Sequence, residues 1–293
     1  MKDANISISI FIVVLLLTLT PLSYGGHSGI HGVTKTSSGS LLPDTKVTKE
    51  RVGEYQWTRS SSTASYSFSA TTGFTYLMAA MKNGYKYVDD WNVNAPATKD
   101  WSLPTRNYTD VKFVIVTDEE YRNVHIYNHE ADATYTALKA AEPWFKEEHG
   151  IQLIKYEYRD DFISDSSSCT SIGEAAKARY PRGSVQQREM IIIVVGQSSF
   201  GPSNIWGCAQ VPTIGGTYPY VVVRDGHVDP GRIAMHEISH AFGLSHTYGD
   251  RYGNPATDFY TVMHKYADDF MQIKNWAPHE DRTMEERRNW YPY

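Results

Sequence analysis

Four side chains within eleven residues, His236, Glu237, His240 and His246 in "HEISHAFGLSH", have the types and spacing to hold a divalent metal ion and move a proton beside it. On a helix advancing 100° per residue, His236 and His240 fall one turn apart on one face and can offer two imidazole nitrogens to one ion. Glu237 neighbours His236 without sharing its direction, so its carboxylate can reach a water at the ion without being a ligand. Gly243 then turns the chain so that His246 can approach as third ligand, leaving a fourth position for water. Such open coordination separates a catalytic zinc from a structural one.

The elements around the cluster suit this task. Asp229 is a good N-cap, Pro230 fits the first helical position, and Gly243 can leave the helix in a left-handed conformation, which predicts a helix over 230–242. Chance is a poor explanation: requiring glycine at 243 and histidine at 246 lowers accidental occurrence by roughly 370-fold, given 21 glycines and 11 histidines in 293 residues. The pair His125 and His129 in "HIYNHE" has the same i, i+4 spacing but neither the glutamate nor a third histidine, and is expected at the surface, as are His27 and His31.

The rest of the chain sets the context. A net charge of -5 with no long basic run disfavours a nucleic-acid partner. Lys2, an apolar run from about Ile6 to Leu22 and small residues near Gly25 predict a signal peptide over 1–25 and a secreted or extracellular protein with no stable membrane insertion. A membrane anchor formed by the same run is the alternative. In an exported chain, Cys169 and Cys208 are expected to form one disulfide. Residues 26–105, rich in Ser, Thr, Gly and Lys, predict little burial and read as a pro-segment or stalk, with a small β-unit open around "YSFSATTGFTYLMAAMKNGYKYVDDW".

From about residue 106 the pattern changes. Apolar strands are expected over 111–118, 151–158 and 189–196, with helices over 129–148 and 173–179 between them, and two further extended pieces in "NIWGCAQVPT" and "YPYVVVRD". In the first helix, Tyr135, Leu138, Ala141 and Phe145 should share one side, Pro143 should bend the last turns, and Gly150 should stop it. Alternating strands and helices imply a mostly parallel sheet with right-handed crossovers.

The string H-E-x-x-H-x-x-G-x-x-H resembles the zinc signature of the metzincin metalloproteases, and residues 106–293 resemble their catalytic domain. The resemblance implies an α/β (α+β) fold: a mixed, mostly parallel twisted sheet with helices, an active-site helix and a smaller irregular C-terminal subdomain. It implies a secreted endopeptidase with one zinc ion, calcium being left open, and a protein or peptide substrate lying extended along a sheet edge within 205–213. Met263 in "FYTVMHKY" looks like the Met-turn that floors the site. Tyr266 stands three residues after it, where astacin and serralysin types have a tyrosine two residues on, so an oxyanion role for Tyr266 stays open. The helix in "HEDRTMEERRNW" packs behind the site in the family, its plain alternative being a solvated terminal helix. No cysteine precedes Cys169, which excludes a cysteine switch, and leaves Asp89 or Asp90 as the acidic groups that could mask the ion. Two other readings remain: an exported binding or surface protein on the same scaffold with protease activity lost or incidental, and a structural metal site completed by a fourth ligand such as Asp250.

Overall fold

The computed structural model describes residues 29–52, 54–164, 168–181, 189–198, 200, 205–210, 218–227, 229–246, 261–263 and 276–288. The expected leader, Asp250 and Tyr266 lie outside these residues, as does most of the expected C-terminal subdomain.

The segment before residue 106 is folded, and the low burial expected from its composition is not observed. Its strands are β1 (Gly29–Thr36), β2 (Lys46–Arg51), β3 (Glu54–Arg59), β4 (Ser65–Ser69), β5 (Thr75–Met81), β6 (Val88–Asn94), β7 (Ala97–Thr98) and β8 (Trp101–Leu103). They form one sheet in the order β4-β1-β7, with β8 also paired to β1, and a second in the order β3-β2-β5-β6. Ile30, Val47, Tyr66, Phe68, Tyr76, Met78, Trp101 and Leu103 make a shared core between them. Composition misled because alternate residues of a short strand suffice to build a core: "SYSFS" hides only Tyr66 and Phe68, and the serines beside them stay exposed.

β2 shows the same alternation with a different partner on each side. Val47 points into the shared core, whereas Lys46 and Glu50 face the rest of the chain, Lys46 Nζ lying 2.6 Å from Glu148 Oε1 with both groups buried.

The second unit is built on a five-stranded sheet of β9 (Thr109–Thr117), β10 (Ile151–Arg159), β11 (Glu189–Val195), β12 (Gly207–Ala209) and β13 (Tyr220–Arg224), in the order β10-β9-β11-β13-β12. All pairings are parallel except that of β12, which runs antiparallel along the edge of β13. The central strands carry unbroken apolar runs, 113–116 in β9, 190–195 in β11 and 221–223 in β13, because both faces are covered there. Phe113, Ile115, Ile192, Val194, Val221 and Val223 face one cluster; Val114, Val116, Ile191, Ile193, Val195 and Val222 face the other. The architecture is therefore mixed α/β, as the sequence implied at that level.

Six α-helices are present among the described residues: α1 (Glu119–Val124), α2 (His129–Thr134), α3 (Glu142–His149), α4 (Cys169–Arg179), α5 (Pro230–Ala241) and α6 (Pro278–Arg287). The single helix expected over 129–148 is in fact α2, a π-helical turn over Tyr135–Lys139, and α3. Pro143 opens α3 instead of bending its end, since its missing N–H is harmless in a first turn. The wider turn carries Tyr135 out to solvent, while Leu138, Ala141 and Phe145 stay buried. Gly150, at φ +59°, closes α3 as expected.

Cys169 and Cys208 form the expected disulfide, with Cα atoms 6.1 Å apart. It ties the first residue of α4 to edge strand β12. The bridge closes 39 residues, so replacing both cysteines by Ala is expected to cost up to about 4 kcal/mol on chain-entropy grounds, read as the shift in a urea unfolding midpoint. The C-terminal helix is not the solvated one considered from sequence. Pro278, Glu280, Asp281 and Met284 of α6 are buried, because one side packs on the second unit's core and the other meets β2 and β5.

Candidate metal centre

α5 has the ends its sequence predicts. Asp229 Oδ1 accepts from Arg232 N (3.2 Å), Pro230 is the first helical residue, and Gly243 leaves at φ +86°. The helix packs on the π-helical turn and on strands β12 and β13, with Ile233, Ala234, Met235 and Ile238 joining the first core cluster, and all its residues from Gly231 to Ala241 are buried.

His236, His240 and His246 converge. Their Nε2 atoms form a triangle with sides of 3.0 Å (236 to 246), 3.1 Å (236 to 240) and 3.2 Å (240 to 246). The opposite ring nitrogens have fixed jobs: His236 Nδ1 donates to the Val262 carbonyl and His240 Nδ1 to the Leu244 carbonyl, each at 2.6 Å. A carbonyl only accepts, so both rings carry their proton on Nδ1 and present bare Nε2 lone pairs to each other. Lone pairs aimed at one point repel unless a cation sits among them. Burial, followed for His236 by the neighbouring His240, pushes both rings below the ordinary histidine pKa and keeps them in the neutral, ligating form. Two imidazoles on one rigid helix and a third on the exposed turn after Gly243 could hold Zn²⁺, whose ligand sphere favours imidazole nitrogen.

Glu237, also buried, does not join the triangle. Its side chain lies over β12: a Cβ added to Gly207 would meet Glu237 Cγ at 2.7 Å, Glu237 Oε1 at 2.9 Å and the Val222 carbonyl at 2.7 Å. Only glycine lets the edge strand run this close to the carboxylate. Alternation along β12 explains the rest, since Gly207 and Ala209 face α5 while Cys208 points the other way to its disulfide.

Met263 is buried in the turn that supplies the Val262 carbonyl, one residue after the group that orients the His236 ring. Asp89 and Asp90 are committed elsewhere: Asp89 accepts from Trp91 Nε1 (2.8 Å) and lies 3.8 Å from Arg282, and Asp90 pairs with Lys99. Neither belongs to the imidazole cluster.

Sequence reasoning missed three contributors. The Val262 and Leu244 carbonyls are backbone groups, which residue types cannot announce. Gly207 had a signal, an isolated glycine in an extended stretch. His125, expected at the surface, is half-buried, stacked on Tyr121 (centroids 4.2 Å apart) and set between Asp132 (3.0 Å) and Asp225 (2.8 Å). Burial lowers its pKa, but the bonds to Asp225 and Asp132 outweigh this and leave it raised above the ordinary 6.5. The stability it adds is fully present below about pH 6.5 and fades as pH rises through the higher folded value. Accordingly, His125→Asn should lower the melting temperature more at pH 6 than at pH 8.5.

No family model matches the chain, and no curated protein matches it. Among solved structures, it is similar to a Bacteroides uniformis protein described as carbohydrate binding, at 15% identity over 27% of this chain and 42% of that one, with a TM-score of 0.24. A structure of a chaperone-substrate complex is matched at 11% identity over 74% of this chain and 40% of that one, with a TM-score of 0.39. The chain thus spans about two fifths of the length of either protein, and neither likeness carries an argument about fold or activity.

Proposed function

We propose that the protein is a secreted zinc-dependent endopeptidase of metzincin type. The observation that carries this reading is the convergence of three Nε2 atoms within 3.2 Å of one another, those of His236 and His240 bare, with Glu237 beside His236 in sequence and not a member of the triangle. The mostly parallel sheet with one antiparallel edge strand against the histidine helix supports it, as does the buried Met263 beside the Val262 carbonyl. Export is supported by the leader pattern and by the disulfide. Among the described residues no helix is long and apolar enough to cross a membrane.

His236, His240 and His246 would hold the ion. When bound, zinc supplies Lewis acidity, lowering the pKa of a water toward about 7 and polarising a carbonyl. Glu237 accepts the proton of the attacking water and returns it to the leaving amine, so it ends the cycle ionised. The backbone of β12 is the sheet edge along which an extended peptide can pair, next to the Glu237 carboxylate. The Nδ1 bonds to Val262 and Leu244 keep two rings aimed while substrate enters and leaves.

A mixed peptide library, a metal analysis and a chelator test this reading together. Cleavage with one zinc per chain, lost on chelation and restored by Zn²⁺, is expected. One zinc without cleavage would instead support the binding-protein reading.

A further inference from the structure

The turn that steadies His236 is itself held from α6. Thr261 Oγ1 donates to Glu280 Oε1 (2.8 Å) and accepts from Met263 N (3.2 Å). Glu280 Oε2 accepts from Ala277 N (2.8 Å). Thr261, Val262, Met263 and Glu280 are all buried, so water does not compete for these bonds, and the position of the Val262 carbonyl follows that of Glu280.

Residues 276–279, which lead into α6, are in turn gripped by the N-terminal unit at three points. Tyr55 donates its hydroxyl to the Trp276 carbonyl (2.9 Å), and Tyr87 donates to the Pro278 carbonyl (3.0 Å). Glu50 Oε2 accepts from His279 N (3.3 Å) and lies 3.1 Å from His279 Nδ1. A second arm reaches α5 directly, since Trp276 Nε1 donates to Ser239 Oγ (2.9 Å), which donates to the Met235 carbonyl (2.6 Å). Ser239 sits between the two helical ligands in sequence. The N-terminal unit therefore grips the back of the metal centre through directional bonds to main-chain atoms, while its acidic pair Asp89 and Asp90 is engaged with other partners.

Building on the metal reading above, we propose that the N-terminal unit is a permanent buttress of the metal centre, with Glu280 as the positioning residue. Glu280 transmits the hold of Tyr55, Tyr87 and Glu50 on residues 276–279 to the Val262 carbonyl, and through it to the His236 ring. The unit is then part of the working protein and not a segment whose loss releases activity.

The test uses the full chain and reads Zn²⁺ affinity by competition with a chromophoric chelator, with the visible spectrum of the Co²⁺-substituted protein as a second signal. Thr261→Val, Glu280→Gln and the double variant Tyr55→Phe with Tyr87→Phe should each bind Zn²⁺ about 10–100-fold more weakly and shift the cobalt bands, as changes in groups that orient a ligand do. Thr261→Ser keeps the hydroxyl and should stay within about threefold of wild type. Where Thr261→Val fails to fold, the tyrosine pair and Thr261→Ser still decide. Wild-type zinc binding with the tyrosine pair folded, unaltered in affinity and unaltered in cobalt spectrum overturns the buttress alone. A wild-type chain that binds no Zn²⁺ overturns the metal reading and the buttress with it.

Discussion

Glu237→Gln is expected to lower peptide cleavage by about 10²–10⁴-fold, the usual worth of a positioned proton-transfer group, while the zinc content stays at one per chain. The amide keeps the size and shape of the side chain above Gly207, where a Cβ would meet Glu237 Oε1 at 2.9 Å, so the edge strand has no reason to move. What is lost is the ability to take a proton. Rates should fall in kcat, with KM little altered, because the group acts on the reacting water and not on the bound peptide. Cleavage at the wild-type rate by this variant would remove Glu237 from its role. Loss of zinc together with activity would make it a structural prop instead.

His240→Ala should have a different and larger effect on the metal. The variant loses one of two ligands presented by the same helix, and affinity for Zn²⁺ should fall by more than the roughly 100-fold that outer groups cost, taking cleavage with it. Stability should change little in the metal-free chain. One bond to the Leu244 carbonyl disappears, worth about 1 kcal/mol, and a histidine that resists protonation goes with it. Burial holds His240 below the ordinary histidine pKa, so in the metal-free wild type its contribution is present above pH 6.5 and is lost as pH falls below it. Equilibrium dialysis against Zn²⁺ and denaturant titration of the chelated proteins separate these two effects. Retention of tight zinc binding by the variant would mean that the triangle of nitrogens does not hold the ion.

How much of this was legible beforehand depends on how local the signal is. The limits of α5 could be read because cap, proline and glycine each act within one or two residues, and Asp229, Pro230 and Gly243 do what their types suggest. The order of the strands after residue 106 was legible for a related reason, as the apolar runs of β9, β11 and β13 are long enough to mark strands covered on both faces, while the short helix α1 was not. What escaped depended on contacts distant in sequence. Tyr66 and Trp101 share one core although 35 residues separate them, and no window over "RSSSTASYSFSATTG" contains both. The role of α6 escaped likewise. A run of charges suggests solvent, yet Glu280 and Asp281 are buried because Thr261, the Ala277 amide and the N-terminal unit close over them. The π-helical turn over Tyr135–Lys139 follows from no residue type in it, and within it Tyr135 is exposed while Leu138 is buried.

The central claim is that three imidazoles close on one ion, and X-ray absorption at the zinc edge on the purified full chain tests it most directly. The account predicts one zinc per chain with three imidazole nitrogens at about 2.0–2.1 Å and no sulfur neighbour, the pattern losing one nitrogen in His246→Ala. Zinc surrounded by fewer than three imidazoles, or a spectrum that His246→Ala leaves unchanged, would contradict it.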